Sequence, residues 1–129
     1  MAYEIPGLVV SFPAGGDLSS SQFKFVKLNA SGQVVDIAAV TDIPIGVLQN
    51  NPTSGQGATV MIDGITKLQA DAALTVGTAI GPSADGQADA KTLGTDTTEQ
   101  ACGLVLEAAG AAGNYCTARI VCGLPNRAS

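Results

Sequence analysis

One plan of strand, polar turn and strand occurs twice in the sequence, at residues 46–64 and 103–123. Both copies begin with Gly and an apolar pair, and both end with an alternating strand that finishes in Gly. Asn, Pro, Ser and Gly crowd the first turn, so no regular element continues through it. A related turn, Ala-Ser-Gly-Gln or Ala-Asp-Gly-Gln, precedes each copy. We therefore predict two related halves, at about 18–70 and 71–125.

The repeat predicts an all-β fold, namely a small β-barrel or sandwich built from two related halves. Two copies are too few for a solenoid, which needs about three, but each half of a barrel or sandwich can supply a few strands. A chain of 129 residues is expected to form one domain, which we place at residues 17–125. Residues 126–129 would then be a short tail. Chance similarity between two Gly-rich hairpins is the alternative explanation of the repeat.

Alternation of apolar and polar residues predicts individual strands. In residues 22–28, Phe23 and Phe25 fall on one side and the lysine between them on the other, which indicates a half-buried strand. A second strand is expected at residues 34–40, after a turn rich in Asn, Ser and Gly. Glycines interrupt the Ala-rich stretch 107–113, so we expect a loop there and not a helix.

Residues 1–16 precede the repeat and are expected to form an extended N-terminal arm. Pro6 and Pro13 exclude a helix across this stretch, and its apolar residues need a surface to cover them. Two interpretations remain open. The stretch is a first strand of the domain's own sheet, or it lies across a partner by strand addition or groove packing. The candidate contact residues are Ile5, Leu8, Val9, Val10 and Phe12.

Large apolar side chains are scarce in this sequence. Apolar residues make up 46% of the chain, but 20 of the 129 residues are Ala and only five are aromatic. Burying one large apolar side chain contributes about 1.5–3 kcal/mol, and Ala contributes far less. Such a core gives a small domain marginal stability. We therefore expect the chain to bury further surface against other copies of itself or against a larger assembly.

Residues that would support catalysis or metal binding are largely missing. The sequence contains no His, which excludes Ser–His and Cys–His nucleophile pairs and His-containing metal sites. Asp85, Asp89 and Asp96 do not follow the spacing of a calcium-binding loop. We therefore expect no enzyme activity, no metal and no cofactor. With six basic residues and a net charge of −5, no basic stripe exists, which disfavours direct nucleic-acid binding.

The three cysteines, Cys102, Cys116 and Cys122, are expected to be buried free thiols. Their number is odd and no CxxC pair occurs, which disfavours a disulfide framework or a zinc site. Free thiols are typical of proteins made in a reducing compartment. We recognise neither a secretory signal nor a run of about 18 apolar residues, so we expect no contact with a membrane.

Taken together, these features resemble the small decoration, or capsid cement, proteins of tailed-bacteriophage heads, in particular a Gly- and Ala-rich all-β type. The resemblance covers most of residues 8–122 and rests on small residues and repeats. It is carried by the apolar N-terminal stretch and by Gly16-Asp17-Leu18, Ile45-Gly46-Val47-Leu48, residues 101–109 and the closing residues 118–121. The chain departs from the family at Cys102, where Ala or Ile is expected.

The resemblance implies a virion protein without enzyme activity that decorates and stabilises the outer surface of a phage capsid. Such a protein would bridge neighbouring major capsid subunits, form a homotrimer and be made in the cytoplasm of the bacterial host. It implies no cofactor, nucleic acid or membrane as a partner. The N-terminal stretch would run along the capsid, which assigns the capsid contact to Ile5, Leu8, Val9, Val10 and Phe12.

Two other classes of function remain open at this point. The chain could be another structural β module, from a tail, a fibre or a bacterial surface protein. It could also be a small-molecule enzyme or a lectin-like binder, which would need a pocket built without His or Trp.

Overall fold

The computed structural model describes residues 5–92 and 94–122. These residues form nine β-strands and no helix, which confirms the all-β prediction, and none of them belongs to a helix able to cross a membrane. The strands are β1 (Ile5–Pro13), β2 (Phe25–Leu28), β3 (Val34–Asp36), β4 (Gly46–Leu48), β5 (Gly57–Gln69), β6 (Ala79–Pro82), β7 (Ala88–Ala90), β8 (Gly103–Glu107) and β9 (Tyr115–Val121). The expected tail, 126–129, lies outside the described residues.

The strands form one antiparallel sheet that curls into a half-barrel. Eight of them follow the order β3-β2-β4-β5-β9-β8-β6-β7, and β1 pairs with β5 beside this path. Strands β2 to β5 and strands β6 to β9 therefore have the same internal order, each group with its hairpin outermost. β5 and β9 join the groups from Asp63 opposite Val121 to Gln69 opposite Tyr115. This topology supports the interpretation of the sequence as two related halves.

β5 is the central strand, since it pairs with β1, β4 and β9. It continues for 13 residues through Gly64, where the sequence repeat places the end of the hairpin. Gly64 has a φ of 145°, and a Cβ atom there would lie 2.6 Å from the backbone nitrogen of Gly7 in β1. Glycine at this position therefore permits both the backbone conformation and the close approach of β1.

The prediction of a half-buried strand at residues 22–28 was wrong in its extent and in its alternation. β2 begins only at Phe25, because Phe23 adopts a positive φ of 63° and leaves the strand. The ring of Phe23 packs edge-to-face on Tyr115 instead, with 5.8 Å between the centroids. Phe25 and Val26 are both buried, since the sheet is covered on both faces at this point.

The strand predicted at residues 34–40 is also shorter than expected. β3 ends at Asp36, and a turn organised by Asp42 follows it. Oδ2 of Asp42 accepts hydrogen bonds from the backbone nitrogens of Ala38 at 2.8 Å and Ala39 at 3.0 Å. Side-chain acceptors of this kind stabilise turns at the expense of strand pairing.

Two hydrophobic clusters cover the two faces of the first half. The inner cluster contains Phe25, Val47 and Met61 from the first half and Ile80, Val105, Ala118 and Ile120 from the second. The N-terminal cluster, on the opposite face, contains Ala14, Leu18, Val26, Leu48 and Val60. Neighbouring residues such as Val47 and Leu48 therefore point to opposite faces, and both are fully buried. The few large apolar residues of the chain are concentrated in these two layers.

β1 belongs to the domain's own sheet. It pairs with β5 along its whole length, and the residues that follow it, Ala14 and Leu18, are buried in the N-terminal cluster. This corresponds to the first of the two interpretations that the sequence left open. Deleting residues 1–16 would therefore remove part of the core as well as any contact residue.

Lys91 carries a buried ammonium group beside β6 and β7. Its Nζ donates to the carbonyl oxygen of Pro82 at 2.9 Å, to Oδ2 of Asp89 at 3.0 Å and to Oε1 of Glu99 at 2.5 Å. Burial alone would lower the pKa of Lys91, but the hydrogen bonds to Glu99 and Asp89 outweigh it, and the pKa lies above its ordinary value. The charged group therefore links β6, β7 and the segment before β8.

Candidate functional site

Four exposed apolar side chains on β1, β8 and β9 form a surface that we call the outer patch: Leu8, Val9, Leu104 and Val121. Leu8 lies opposite Asp63 of β5, and Asp63 lies opposite Val121 of β9. Residues that face each other on neighbouring strands lie on the same side of a sheet. Leu8 and Val121 therefore belong to one surface, in which Leu8 is 55% and Val121 39% exposed.

An apolar cleft of about 300 Å³ lies in the outer patch. Its walls are formed by Ala79, Ala101, Cys102, Gly103, Leu104, Arg119 and Val121. Leu104 lies opposite Ala79 on β6 and opposite Arg119 on β9, so these three side chains share a face. Arg119 is exposed and adds a positive charge to an otherwise apolar lining. Apolar surface around an exposed Arg is typical of protein–protein contacts.

The corresponding face of the first half is buried. Val47 of β4 corresponds to Leu104 of β8, since both follow the Gly that opens each copy of the repeat. Val47 lies opposite Phe25 and Met61, and all three belong to the inner cluster. Leu104 is 42% exposed. Within residues 5–92 and 94–122, the second half thus leaves open the face that the first half buries.

The residues predicted as contacts differ in their exposure. Leu8 and Val9 are exposed, whereas Val10 and Phe12 are half-buried, and Phe12 packs against the N-terminal cluster. Ile5 pairs with β5 through its backbone, and its side chain is not among those described. The fold therefore brings Leu8 and Val9 to the surface and gives Phe12 a part in the packing of the domain.

Leu104 and Val121 of the outer patch were not predicted from the sequence, whereas Arg119 beside them is expected there either to form an ion pair between subunits or to face the solvent. Their strands show the same alternation as the buried strands, and a period of two does not tell which face is covered. One signal was present in the second half. Arg119 pairs with Leu104 in the way that Met61 pairs with Val47 in the first half. A charged residue at a position where the first half has a buried apolar residue indicates that this face is open in the second half.

A second cleft, of about 360 Å³, lies between the turns of the two halves and is lined by polar residues. Oγ of Ser21 donates to Oδ1 of Asp36, and Oγ of Ser83 donates to Oδ1 of Asp85, each at 2.5 Å. The hydrogen bond from Ser83 lowers the pKa of Asp85. This carboxylate is therefore ionised and accepts the hydrogen bond within the turn between β6 and β7. Among the described side chains, no group of three His, Cys, Asp or Glu is arranged to hold a metal ion.

The three thiols are free in the structure. Burial raises the pKa of Cys116 to about 11. A hydrogen bond with Cys122, together with burial, raises the pKa of Cys102 well above its ordinary value. Cys102 and Cys116 are therefore protonated at neutral pH, and neither has the lowered pKa of an activated nucleophile.

The fold and the outer patch define a class: an all-β module with an exposed apolar face. A family model described as phage cement protein matches residues 10–121. The chain belongs to this family. It is a phage capsid-associated structural protein, as the sequence resemblance indicated.

The fold is shared with a solved structure from another phage. The N base of head fiber gp8.5 in bacteriophage phi29 aligns with a TM-score of 0.62 and 20% sequence identity, covering 88% of this chain and 94% of that chain. A search among curated proteins gives no significant match. The family therefore rests on the sequence model, and the structural comparison adds the shared fold.

Proposed function

We propose that this cement protein decorates and stabilises the outer surface of a phage capsid by bridging neighbouring major capsid subunits. The observation that supports this best is the outer patch, in which Leu8, Val9, Leu104 and Val121 remain exposed on paired strands. Groups of exposed apolar side chains on a protein surface mark contact sites, and in this group the exposed Asp63 lies between Leu8 and Val121. Because the sheet holds them in a fixed arrangement, little conformational entropy is lost when they dock.

We assign the capsid contact to the N-terminal stretch, with Leu8 and Val9 as direct contacts. Ile5, Val10 and Phe12 lie on the same strand and complete the candidate set. The half-buried Phe12 packs against the N-terminal cluster and would hold β1 in place while the exposed residues meet the shell. The contact would thus use a strand that is already paired with β5.

We also propose a homotrimer that uses the cleft around Leu104 and Arg119. The equivalent face of the first half is buried against the second half, which indicates that this face suits an apolar protein partner. A contact between two different faces of one chain generates a ring when the rotation closes. Three linked copies would also multiply weak contacts with the shell through their high effective concentration.

The other parts of the proposal follow from composition. Free thiols support synthesis in the reducing cytoplasm of the bacterial host. A net charge of −5 would keep the protein off the packaged nucleic acid. The proposed role on the virion needs shape and contact area, and it needs no enzyme activity, cofactor or membrane.

A second candidate is the base of a head fibre. The fold shared with the phi29 head fiber N base favours it. In that case the protein would still attach to the head, but it would carry a longer projecting structure instead of bridging capsid subunits.

Binding to heads separates these proposals. Purified protein is expected to cosediment with expanded, undecorated heads of its phage, and electron microscopy of those heads should show density across boundaries between capsid subunits. Heads to which an unrelated protein of similar charge is added serve as the control. Density confined to a projecting fibre or a tail, or the absence of cosedimentation, would contradict the bridging role.

A further inference from the structure

Two of the three cysteines lie next to each other at the ends of paired strands. Cys102 directly precedes β8, and Cys122 directly follows β9. The backbone nitrogen of Val121 donates to the carbonyl oxygen of Cys102 at 2.9 Å, which extends the β8–β9 pairing by one residue. Cys122 follows the residue that faces Cys102. Successive residues of a regular strand point to opposite faces, but Cys102 lies outside β8 and its side chain belongs to the inner cluster, which Cys122 also contacts.

This placement suits a covalent bond between the two side chains. Opposite residues of antiparallel strands have Cα atoms about 5 Å apart, and successive residues are separated by about 3.4 Å along the strand. The Cα atoms of Cys102 and Cys122 are then about 6 Å apart, within the range of about 4.4–6.8 Å that a disulfide spans.

The two side chains share one hydrophobic cluster: Cys102 belongs to the inner cluster, and Cys122 packs against it. The raised pKa of Cys102, whose first cause is a hydrogen bond with Cys122, is consistent with this proximity. The backbone nitrogen of Cys122 also donates to the carbonyl oxygen of Ile62 at 2.9 Å, which fixes the end of β9 on β5. Backbone pairing on both sides thus holds the two cysteines next to each other.

We propose that Cys102 and Cys122 form an intramolecular disulfide when the folded chain meets a disulfide oxidant such as glutathione disulfide. Cys122 is the more exposed of the two, so its thiol reacts first: it loses its proton, and the thiolate attacks one sulfur of glutathione disulfide, forming a mixed disulfide and releasing one glutathione. The Cys102 thiolate then attacks the Cys122 sulfur, the protein disulfide forms and a second glutathione leaves. Two electrons and two protons pass from the protein to glutathione.

The bond would close the hairpin of β8 and β9 and hold the lining of the cleft, since Cys102 and Val121 are both part of it. Closing a loop of about 20 residues removes freedom from the unfolded chain and is expected to raise Tm by roughly 10 °C. The time at which the bond forms rests on the proposed function, since a virion protein is made under reducing conditions and meets oxidants after release. The bond itself does not depend on that function.

The test uses the isolated full-length protein, so its outcome is separate from any binding to heads. After reaction with glutathione disulfide under native conditions, thiol titration of the unfolded protein is expected to fall from three thiols to one. Peptide mapping should show a bond between Cys102 and Cys122, the chain should remain free of intermolecular disulfides, and Tm should rise. Adding a reductant should restore three thiols and the original Tm.

Matched variants give the controls. C116A is expected to lose both of its thiols to the bond, as the wild type loses two of three. C122A is expected to form no intramolecular bond. A stable glutathione adduct on Cys122 of the wild type, a bond that involves Cys116, or a covalent dimer would each overturn the proposal.

Discussion

Replacing Lys91 by Met is expected to lower the free energy of unfolding by about 3 kcal/mol, because it removes the buried cation of an ion-pair cluster. The substitution keeps most of the length of the side chain but leaves the partly exposed carboxylates of Asp89 and Glu99 without their cation. It also leaves the carbonyl oxygen of Pro82 without its donor. Urea unfolding followed by circular dichroism measures the loss.

The matched control is K27M. Lys27 also pairs with a carboxylate, Asp42, at 2.8 Å, but its side chain is 27% exposed and that of Asp42 is 22% exposed. Ion pairs of this exposure contribute about 0–1 kcal/mol, so K27M should have a small effect. Equal losses for the two variants would show that the Lys91 cluster is not the structural link between β6, β7 and the segment before β8.

Replacing Leu8 and Val9 together by Lys is expected to weaken binding to expanded heads by about 100-fold or more. Both side chains are exposed, so the proposed contact would press two ammonium groups against apolar surface and strip them of water. For the same reason the fold should be unaffected, since substitutions at exposed positions change stability by about 0.5 kcal/mol or less. Cosedimentation over a range of protein concentrations measures the affinity.

I43K is the matched control for this variant. Ile43 is 53% exposed, similar to Leu8, but lies between β3 and β4 and outside the outer patch. It should bind heads as the wild type does. Full binding by the Leu8 and Val9 double variant would remove β1 from the contact, and a comparable loss in I43K would show that added charge acts through general repulsion.

Point substitutions test the N-terminal stretch more directly than a deletion of residues 1–16 would. β1 pairs with the central strand, and Ala14 beyond it is buried. A truncated chain would therefore lose binding either because contact residues are missing or because the domain no longer folds, and a binding measurement does not separate these two reasons.

The repeat in the sequence was sufficient to predict the class of fold. The opening glycines, the apolar pairs and the alternating strands that close each copy reappear as β4 with β5 and as β8 with β9. The sequence signal is strong because a hairpin forms between neighbouring segments of the chain. Gly, Asn and Pro between two apolar runs are typical of the turn of such a hairpin. The hairpins that precede each copy, β2 with β3 and β6 with β7, correspond to the two related turns.

The alternation of apolar and polar residues did not predict burial where side chains from other parts of the chain cover both faces of a strand. Phe25 and Val26 are both buried because the inner cluster covers one face and the N-terminal cluster covers the other. A single sequence does not show that a second layer exists, so a strand covered on both sides is mistaken for a half-buried one. The backbone of Phe23, with its positive φ, is likewise set by ring packing on Tyr115 and not by local preference.

The candidate site was predictable in part. The apolar content of the N-terminal stretch indicated contact residues, but the side chains that reach the surface depend on the register of β1 against β5, which has shifts near Leu8. The cleft around Leu104 is lined by residues on or next to β6, β8 and β9, all in the second half. Whether this face stays open depends on what packs against the sheet, and patterns within one strand do not contain that information.

The proposed function requires that this protein stabilises a capsid by contact alone. The most direct test is the temperature at which expanded heads lose their contents, measured with and without saturating protein. Because the protein is expected to bind the intact shell and not its separated subunits, its addition should raise that temperature. The increase should grow with occupancy until the sites are filled. The same disruption temperature for bare and fully decorated heads would contradict the account.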